Sequence, residues 1–319
     1  MDDSLLEDQS PVTCFALPSL EPPKESARTL FSQLPEVLCG RYRLEGLLGA
    51  GGMGAVYRAR DLLHEQFGDP APYVAIKILS EAISPSPDAS ALLFNEFALT
   101  RHLHHTNVLR LHSFEVDTVH QRAFIVMELL RGPTLDRLLC ERPFGLAWQP
   151  FCDIALPLLD ALTHAHERGV LHGDIKPSNV LLSDEGVRVY DFGLGQAEPG
   201  TLNGLAHLNR SCFNAWTPGY AAPELLEGAP LTRAADVYAL GCLLYELASG
   251  QHPFNRMLST YARDQQPQPR LKRPKHLARK AWPALRTALA FDPARRNVSV
   301  KQLRNAIAPT SGFLGGVSN

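Results

Sequence analysis

The sequence lacks the cysteine and histidine patterns of metal and disulfide proteins. Its six cysteines never form a C-x-x-C pair, and its twelve histidines do not cluster at metal-ligand spacing. Scattered cysteines are typical of reduced thiols inside a cell rather than of a disulfide framework or a zinc site. We therefore predict a cytoplasmic protein.

Long apolar runs and an excess of one charge are also missing. No run approaches the roughly 18 residues of a membrane helix. The first residues, Met1 to Asp8, are acidic where a signal peptide is basic. A net charge of -2 gives no general attraction to nucleic acid or to an anionic membrane. The sequence thus predicts no nucleic-acid partner and no membrane anchor.

The composition is that of a globular protein, with 319 residues of which 45% are hydrophobic. This length suits two domains or one two-lobed domain. Residues 1–38 mix proline, serine and acids without a sustained period, so we expect a partly disordered extension there. The folded domain is expected over residues 39–309 and a tail over residues 310–319.

The segment around Asp174 carries the strongest chemical signal. Asp174, Lys176 and Asn179 lie between two short apolar runs, and Pro177 prevents a continuous helix through them. A carboxylate, an ammonium and an amide oxygen can orient a hydroxyl, neutralise a moving phosphate and bind a metal, as phosphoryl transfer requires. A capped surface turn explains this stretch equally well when it is taken alone.

A glycine-rich stretch follows the first strand-like run. Gly49, Gly51 and Gly54 form G-x-G-x-x-G ahead of Val56. The residues after the third glycine favour a strand, whereas a dinucleotide-binding turn needs a helix there. Such glycines allow backbone amides to close over phosphates, and the alternative is a flexible hairpin tip.

Lys77 interrupts an apolar strand, where a charge is costly unless it is paired. The next helix offers a partner, because its apolar stripe places Glu96 at an inward position. The stripe consists of Leu92, Leu99 and Leu103. The alternative is that Glu96 belongs to a solvated helix face.

Two further strands are predicted at residues 108–114 and 123–129, which gives five strands and one main helix before Gly132 and Pro133. The pattern then becomes helical, and a hairpin around residues 184–186 leads to Asp191-Phe192-Gly193. The expected fold class is α+β, with a small β-rich part followed by a larger helical part.

The order and spacing of these motifs resemble the eukaryotic-type serine/threonine protein kinases that also occur in bacteria. The resemblance covers about residues 41–309 and includes Ala222-Pro223-Glu224 after the D-F-G motif. It implies an N-lobe over about residues 41–128 and a C-lobe over about residues 129–309. It also implies an ion pair between Glu224 and Arg296.

The resemblance further implies ATP and Mg²⁺ as cofactors. The implied ATP-binding residues are Leu48, Gly49, Ala50, Gly51, Gly52, Met53, Gly54, Ala55, Val56, Ala75, Lys77, Glu96, Met127, Glu128 and Leu130. Among them, Lys77, held by Glu96, contacts the α- and β-phosphates, and Met127 precedes the hinge. Asn179 and Asp191 are the implied metal ligands.

The implied catalytic residues are Asp174, Lys176 and Asn179. In this resemblance, Asp174 orients and deprotonates the acceptor hydroxyl and Lys176 steadies the γ-phosphate. The main departure is Gly173, where most family members have arginine. H-G-D-x-x-x-x-N also occurs in aminoglycoside and choline kinases, so a small-molecule phosphotransferase is one alternative. A catalytically inactive binding module is the other, although every catalytic position is filled.

Partners are implied less specifically. The resemblance implies protein substrates, and analogy suggests a cognate phosphatase and a phosphothreonine-reading partner. The basic run at residues 263–280 is interpreted as a solvated face, with docking of an acidic substrate as the alternative.

Overall fold

An antiparallel sheet occupies the first part of the chain. The computed structural model describes residues 34–51, 54–79, 89–202, 204–205, 216–266 and 271–309. The sheet has six strands in the order β1-β2-β3-β4-β6-β5. The strands are β1 Val37–Leu38, β2 Tyr42–Gly51, β3 Gly54–Asp61, β4 Tyr73–Leu79, β5 Leu111–Asp117 and β6 Arg122–Met127. Two helices lie among them, α1 Leu62–Gln66 and α2 Ala89–Arg101.

The helical part follows β6 and confirms the expected α+β architecture. Its helices are α3 Leu135–Glu141, α4 Trp148–Glu167, α5 Pro223–Leu226, α6 Arg233–Ser249, α7 Ser259–Gln265, α8 Trp282–Ala288 and α9 Val300–Ile307. Two small antiparallel pairs accompany them: β7 Val170–Leu171 with β10 Gln196–Ala197, and β8 Val180–Ser183 with β9 Gly186–Val189. None of the helices in the described ranges combines the length and the apolar character that crossing a membrane requires.

The limits of β1, β5 and β6 differ from the sequence prediction. β1 pairs with the start of β2, so part of the segment expected to be an extension belongs to the sheet. Val108 forms a parallel bridge to Val189 instead of entering β5. β5 continues to Asp117, whose buried carboxylate accepts N–H donations from Val119 and His120 and so closes the β5–β6 turn.

Helices α4 and α6 form the centre of the helical part. One face of α4 packs into the core, because Phe151, Leu158, Leu162 and Ala165 are buried while Ile154 is only partly buried. Helix α6 is buried on most sides. Apolar side chains on several faces let this helix pack against α4, α8 and the loop that carries Asp174.

The predicted ion pair between Glu224 and Arg296 is present. Two Arg296 N–H groups donate to the two carboxylate oxygens of Glu224, at 2.7 and 2.5 Å. Arg296 is buried, and it also donates to the carbonyl oxygens of Ala234, Ala290 and Phe291. The pair therefore joins the A-P-E segment to the base of the helical part.

Arg296→Ala is expected to lower the free energy of unfolding by about 3–5 kcal/mol, because Glu224 and several carbonyl groups lose a buried partner. Urea unfolding monitored by circular dichroism measures the change. The adjacent Arg295→Ala is the control, since Arg295 is 68% exposed and pairs only loosely with Asp292 at 3.6 Å. Equal effects of the two substitutions would contradict a structural role for the buried pair.

Candidate active site

A cleft opens between the sheet and the helical part. Its apolar lining includes five residues predicted to bind ATP: Leu48, Val56, Ala75, Met127 and Leu130. Its polar lining includes Lys77, Glu96, Glu128 and Asp191. Residues distant in the sequence are brought together here, since the lining comes from β2, β3, β4, α2, the end of β6 and the segment after β9.

The glycine-rich stretch is the hairpin between β2 and β3. Gly51 pairs with Gly54 and Ala50 with Ala55, so a strand follows the third glycine as predicted. A Cβ atom on Gly54 would lie 2.3 Å from the carbonyl oxygen of Ile78 on β4, which explains the need for glycine. Gly49 belongs to β2 within this hairpin, whereas Gly52 and Met53 lie outside the described residues.

Lys77 is buried and bonded to two carboxylates. Its Nζ lies 2.7 Å from both Glu96 carboxylate oxygens and 2.7 Å from Asp191 Oδ1. The predicted partner of Lys77 is therefore present, and the solvated-face alternative for Glu96 is excluded. Asp191, 114 positions away, is a second partner that the strand and helix patterns did not reveal.

The three charges shift one another's pKa. Burial acts to lower the pKa of Lys77, but Asp191 and Glu96 outweigh it and hold that pKa above the ordinary lysine value. Burial raises the pKa of Glu96 to about 7 despite the neighbouring ammonium. For Asp191, burial alone would raise the pKa, and Lys77 brings it below the ordinary range. A lysine that stays charged inside the cleft is suited to binding phosphate oxygens.

Asn179 and Asp191 together offer oxygen ligands to a hard cation. Asn179 donates its side-chain N–H groups to Asp174, at 2.8 Å to the carbonyl and 3.3 Å to the carboxylate, which leaves the amide oxygen as an acceptor. The backbone N–H of Tyr190 donates to the Asn179 carbonyl and keeps the two segments adjacent. Asp191 uses Oδ1 toward Lys77, and within the described ranges no hydrogen bond involves its second carboxylate oxygen. Carboxylate and amide oxygens fit Mg²⁺.

Asp174 lies in a second cluster with Lys176 and Thr217. Lys176 Nζ is 2.6 Å from Asp174 Oδ2 and donates to Thr217 Oγ1 at 2.9 Å. The Thr217 hydroxyl donates to Asp174 Oδ1 at 2.7 Å. The structure thus places the predicted base and the predicted phosphate-steadying lysine in direct contact. Thr217 lies 43 positions from Asp174 in the sequence, and the fold brings the two side chains together.

Asp236 holds the loop that carries Asp174. Its carboxylate accepts the backbone N–H groups of His172 at 2.8 Å and of Gly173 at 2.9 Å, and it contacts His166 Nε2 at 2.9 Å. Burial alone would raise the pKa of Asp236, but the bonds to His166 and to the loop amides hold it below the ordinary range. The sequence motifs assigned no role to Asp236, which lies in the first turn of α6. An acid inside a nearly all-apolar helical run was the available signal.

Gly173 adopts a left-handed backbone conformation. Its φ is +82°, and an added Cβ would lie 2.4 Å from the carbonyl oxygen of Leu194. Both features favour glycine at this position, where the resemblance expects arginine. The arginine that most members of that family have at this position is therefore replaced by a residue with no side chain.

Other residues of the cleft were missed by sequence reasoning. They include Thr100, Leu109, Leu111, Leu181 and Tyr190. Thr100 lies one helical turn after Glu96, so the period of α2 was the signal for it. The others face the cleft because of the pairing of β8 with β9 and of Leu109 with Val189, which local patterns do not specify.

Comparisons with known proteins agree with this geometry. The family model described as "Protein kinase domain" matches residues 42–306. The chain is similar to the serine/threonine-protein kinase PkaA of Streptomyces coelicolor, with 34% identity over 272 residues, covering 80% of this chain and 47% of that protein. It is also similar to the DNA damage-responsive serine/threonine-protein kinase RqkA of Deinococcus radiodurans, with 38% identity over 222 residues, covering 68% of this chain and 31% of that protein.

A solved structure is also similar to this chain. The kinase domain of Mycobacterium tuberculosis PknI matches with a TM-score of 0.62 and 28% identity, covering 87% of this chain and 97% of that one. The chain therefore spans nearly all of this solved domain but less than half the length of the two curated relatives.

Proposed function

The chain belongs to the protein kinase domain family, and we propose that it transfers the γ-phosphate of ATP to serine or threonine hydroxyls of proteins. The observation that carries this proposal is the buried Lys77, bonded to both Glu96 and Asp191 in the cleft. The second cluster, around Asp174, lies where an acceptor can approach.

Each charged group has a distinct task in the proposed transfer. Lys77, oriented by Glu96, binds phosphate oxygens on the nucleotide. Bound Mg²⁺, held by Asn179 and Asp191, would neutralise charge on the phosphates. Asp174 orients the acceptor hydroxyl and takes its proton, while the Lys176 ammonium offsets the negative charge on the phosphate during transfer.

The apolar lining of the cleft supports adenine binding. Val56 and Ala75 come from adjacent strands, and Leu181 comes from β8 of the helical part. The backbone of Glu128 to Leu130 would form hydrogen bonds with the base at the hinge. Met127 is proposed as the gatekeeper at the end of β6.

Two observations favour a protein acceptor over a small molecule. Thr217 bonds to both Asp174 and Lys176, and the segment that follows Thr217 continues into the A-P-E motif, whose Glu224 is anchored by Arg296. A fixed platform next to the base is suited to an extended polypeptide. We further propose a kinase domain that begins with β1 and extends to residue 309, a cytoplasmic location, and a phosphatase and a phosphothreonine-reading protein as partners.

The proposal is tested with the purified chain, radiolabelled ATP and Mg²⁺. Dephosphorylated casein, choline and kanamycin serve as alternative acceptors, and the Asp174→Asn variant controls for contaminating kinases. Label on serine and threonine of casein supports the proposal. Transfer only to choline or kanamycin would establish a small-molecule enzyme, and ATP binding without transfer to any acceptor would favour a binding module.

Gly173 leads to a prediction about regulation. In relatives with arginine at this position, the guanidinium pairs with a phosphate on the activation loop and orders it. Arg188, one possible substitute, already donates to Glu185 and lies 4.0 Å from Glu128. Arg210, another candidate, lies outside the described residues. We expect basal activity to depend little on loop phosphorylation.

The measurement is the initial rate on casein before and after phosphatase treatment. Mass spectrometry must show that Thr201, Ser211 and Thr217 carry no phosphate; Ser211 lies outside the described residues. The expected change in rate is less than about threefold, since one charge-assisted contact of the switch is missing. A tenfold loss that rephosphorylation reverses would show that another cation has taken over the role.

A further inference from the structure

An exposed surface borders the proposed acceptor site. It consists of four side chains from the start of α7 and the loop before it, here called the acceptor rim: Arg256, Met257, Leu258 and Tyr261. The Arg256 side chain is 56% exposed. The other three are 37%, 48% and 53% exposed, which is high for such large apolar residues.

The acceptor rim is fixed to the segment that carries Thr217. A Cβ on Gly219 would lie 3.3 Å from the Arg256 Cα, so the two backbones are in close contact. The Ser259 hydroxyl donates to the Ala221 carbonyl at 2.6 Å. Thr217 itself bonds to Asp174, so the rim adjoins the segment that leads to the proposed acceptor site.

The carboxylate of Glu246, next to the acceptor rim, is inaccessible to substrates. Glu246 is 3% exposed, and Arg256 donates to its Oε1 at 2.8 Å while the Tyr220 hydroxyl donates to its Oε2. A basic residue of a substrate therefore finds no available partner in Glu246. Arg256 is different, because its guanidinium has five N–H donors and its outer side faces solvent.

Two further carboxylates, Glu227 and Asp264, are each paired with Arg263, although their side chains are 50% and 66% exposed. Arg263 donates to Glu227 at 2.7 Å and to Asp264 at 3.1 Å. The rim thus presents apolar area together with one accessible cation. It fits an acceptor segment in which apolar residues and acids flank the hydroxyl.

The chain itself contains such a segment. Residues 2–8 read Asp-Asp-Ser-Leu-Leu-Glu-Asp, so Ser4 has acids on both sides and two leucines directly after it. The first lysine or arginine of the chain is Lys24. About 25 residues separate Asp8 from Leu34, the first described residue, and can extend to about 85 Å. A folded domain of this size is roughly 50 Å across, so the reach is sufficient.

We propose that the acceptor rim takes the chain's own segment Asp2–Asp8 and that Ser4 is an autophosphorylation site. The inference rests on the proposed kinase function. In this step, Ser4 Oγ forms a bond to the γ-phosphorus of ATP, and the bond from that phosphorus to the bridging oxygen breaks. ADP leaves with the electron pair, and the Ser4 hydroxyl proton passes to the Asp174 carboxylate.

The first test uses the full chain, prepared free of phosphate. After incubation with ATP and Mg²⁺, mass spectrometry is expected to find phosphate on Ser4 well before it appears on Ser10, which has an acid on one side only and no leucine close to it. The Asp174→Asn chain is the negative control. Casein is included in a parallel reaction as a general acceptor.

The second test addresses the rim with a peptide of residues 1–12. Neutralising its four acids to asparagine and glutamine is expected to lower kcat/KM at least tenfold. Met257→Glu in the enzyme is expected to lower kcat/KM for the natural peptide about tenfold while leaving the Arg256 ion pair in place. Val119→Glu is the matched control, because Val119 is 83% exposed in the β5–β6 turn, on the sheet.

The outcomes separate this inference from the proposed function. Phosphorylation of casein without any phosphate on Ser4 would overturn the inference and leave the kinase function intact. Equal kcat/KM for the natural and neutral peptides would overturn the role of the rim. No transfer to casein or to Ser4 would overturn both proposals.

Discussion

Asp174→Ala is expected to lower the rate of protein phosphorylation by about 10² to 10⁴-fold. The substitution removes the carboxylate that is proposed to orient and deprotonate the acceptor hydroxyl. It also frees Lys176 and Thr217, whose contacts with Asp174 are 2.6 and 2.7 Å. ATP affinity should persist, because Asp174 lies outside the cleft lining while Lys77, Glu96 and Asp191 remain in place.

Two measurements are needed for this variant. Initial rates on casein give the loss of activity, and fluorescence titration with a nucleotide analogue gives the affinity. Asp184→Ala is a suitable control, since Asp184 is an exposed carboxylate in the turn between β8 and β9. Near-full activity of the Asp174 variant, with contaminating kinases removed, would refute the assignment of the base.

Lys77→Met is expected to reduce transfer by about 10² to 10³-fold, as the loss of one preorganised electrostatic contact typically does. Glu96→Gln should cause a smaller loss of about tenfold. The order follows from the proposed roles, because Lys77 would contact the phosphates directly, whereas Glu96 positions Lys77 through both carboxylate oxygens at 2.7 Å. Rates at limiting ATP distinguish the two variants.

The stability of these variants must be measured together with their activity. Removing Lys77 leaves Glu96 and Asp191 as neighbouring buried carboxylates, which can destabilise the fold. Lys77→Arg keeps the charge and serves as the control for folding. Wild-type behaviour of Glu96→Gln at limiting ATP would show that the pairing does not support phosphate binding.

The residues that the sequence identified correctly share a local signal. Glu96 was placed inward because α2 has a regular apolar stripe, and the hairpin of Gly51 and Gly54 was predicted because a strand-like run follows it. The predicted start of β5 was wrong because Val108 forms a bridge with Val189, in a distant segment of the chain, instead of entering the strand. The periodicity of residues within one segment does not reveal the contacts that a distant segment will make with it.

The sequence by itself determined which side chains are proposed to supply the chemistry and which elements carry them. Motifs such as H-G-D-x-x-x-x-N and D-F-G are short, so their spacing is fixed by bonds and by local backbone preference. The tertiary structure decided which of these groups touch, since Lys77 meets Asp191 across 114 positions and Thr217 meets Asp174 across 43. The tertiary structure also decided that Arg256 and Tyr220 donate hydrogen bonds to the buried Glu246 carboxylate. It likewise decided that Asp236 accepts the backbone N–H of Gly173. Such contacts arise only when separate elements pack to bury apolar surface, and each buried charge must then be paired within the packed fold.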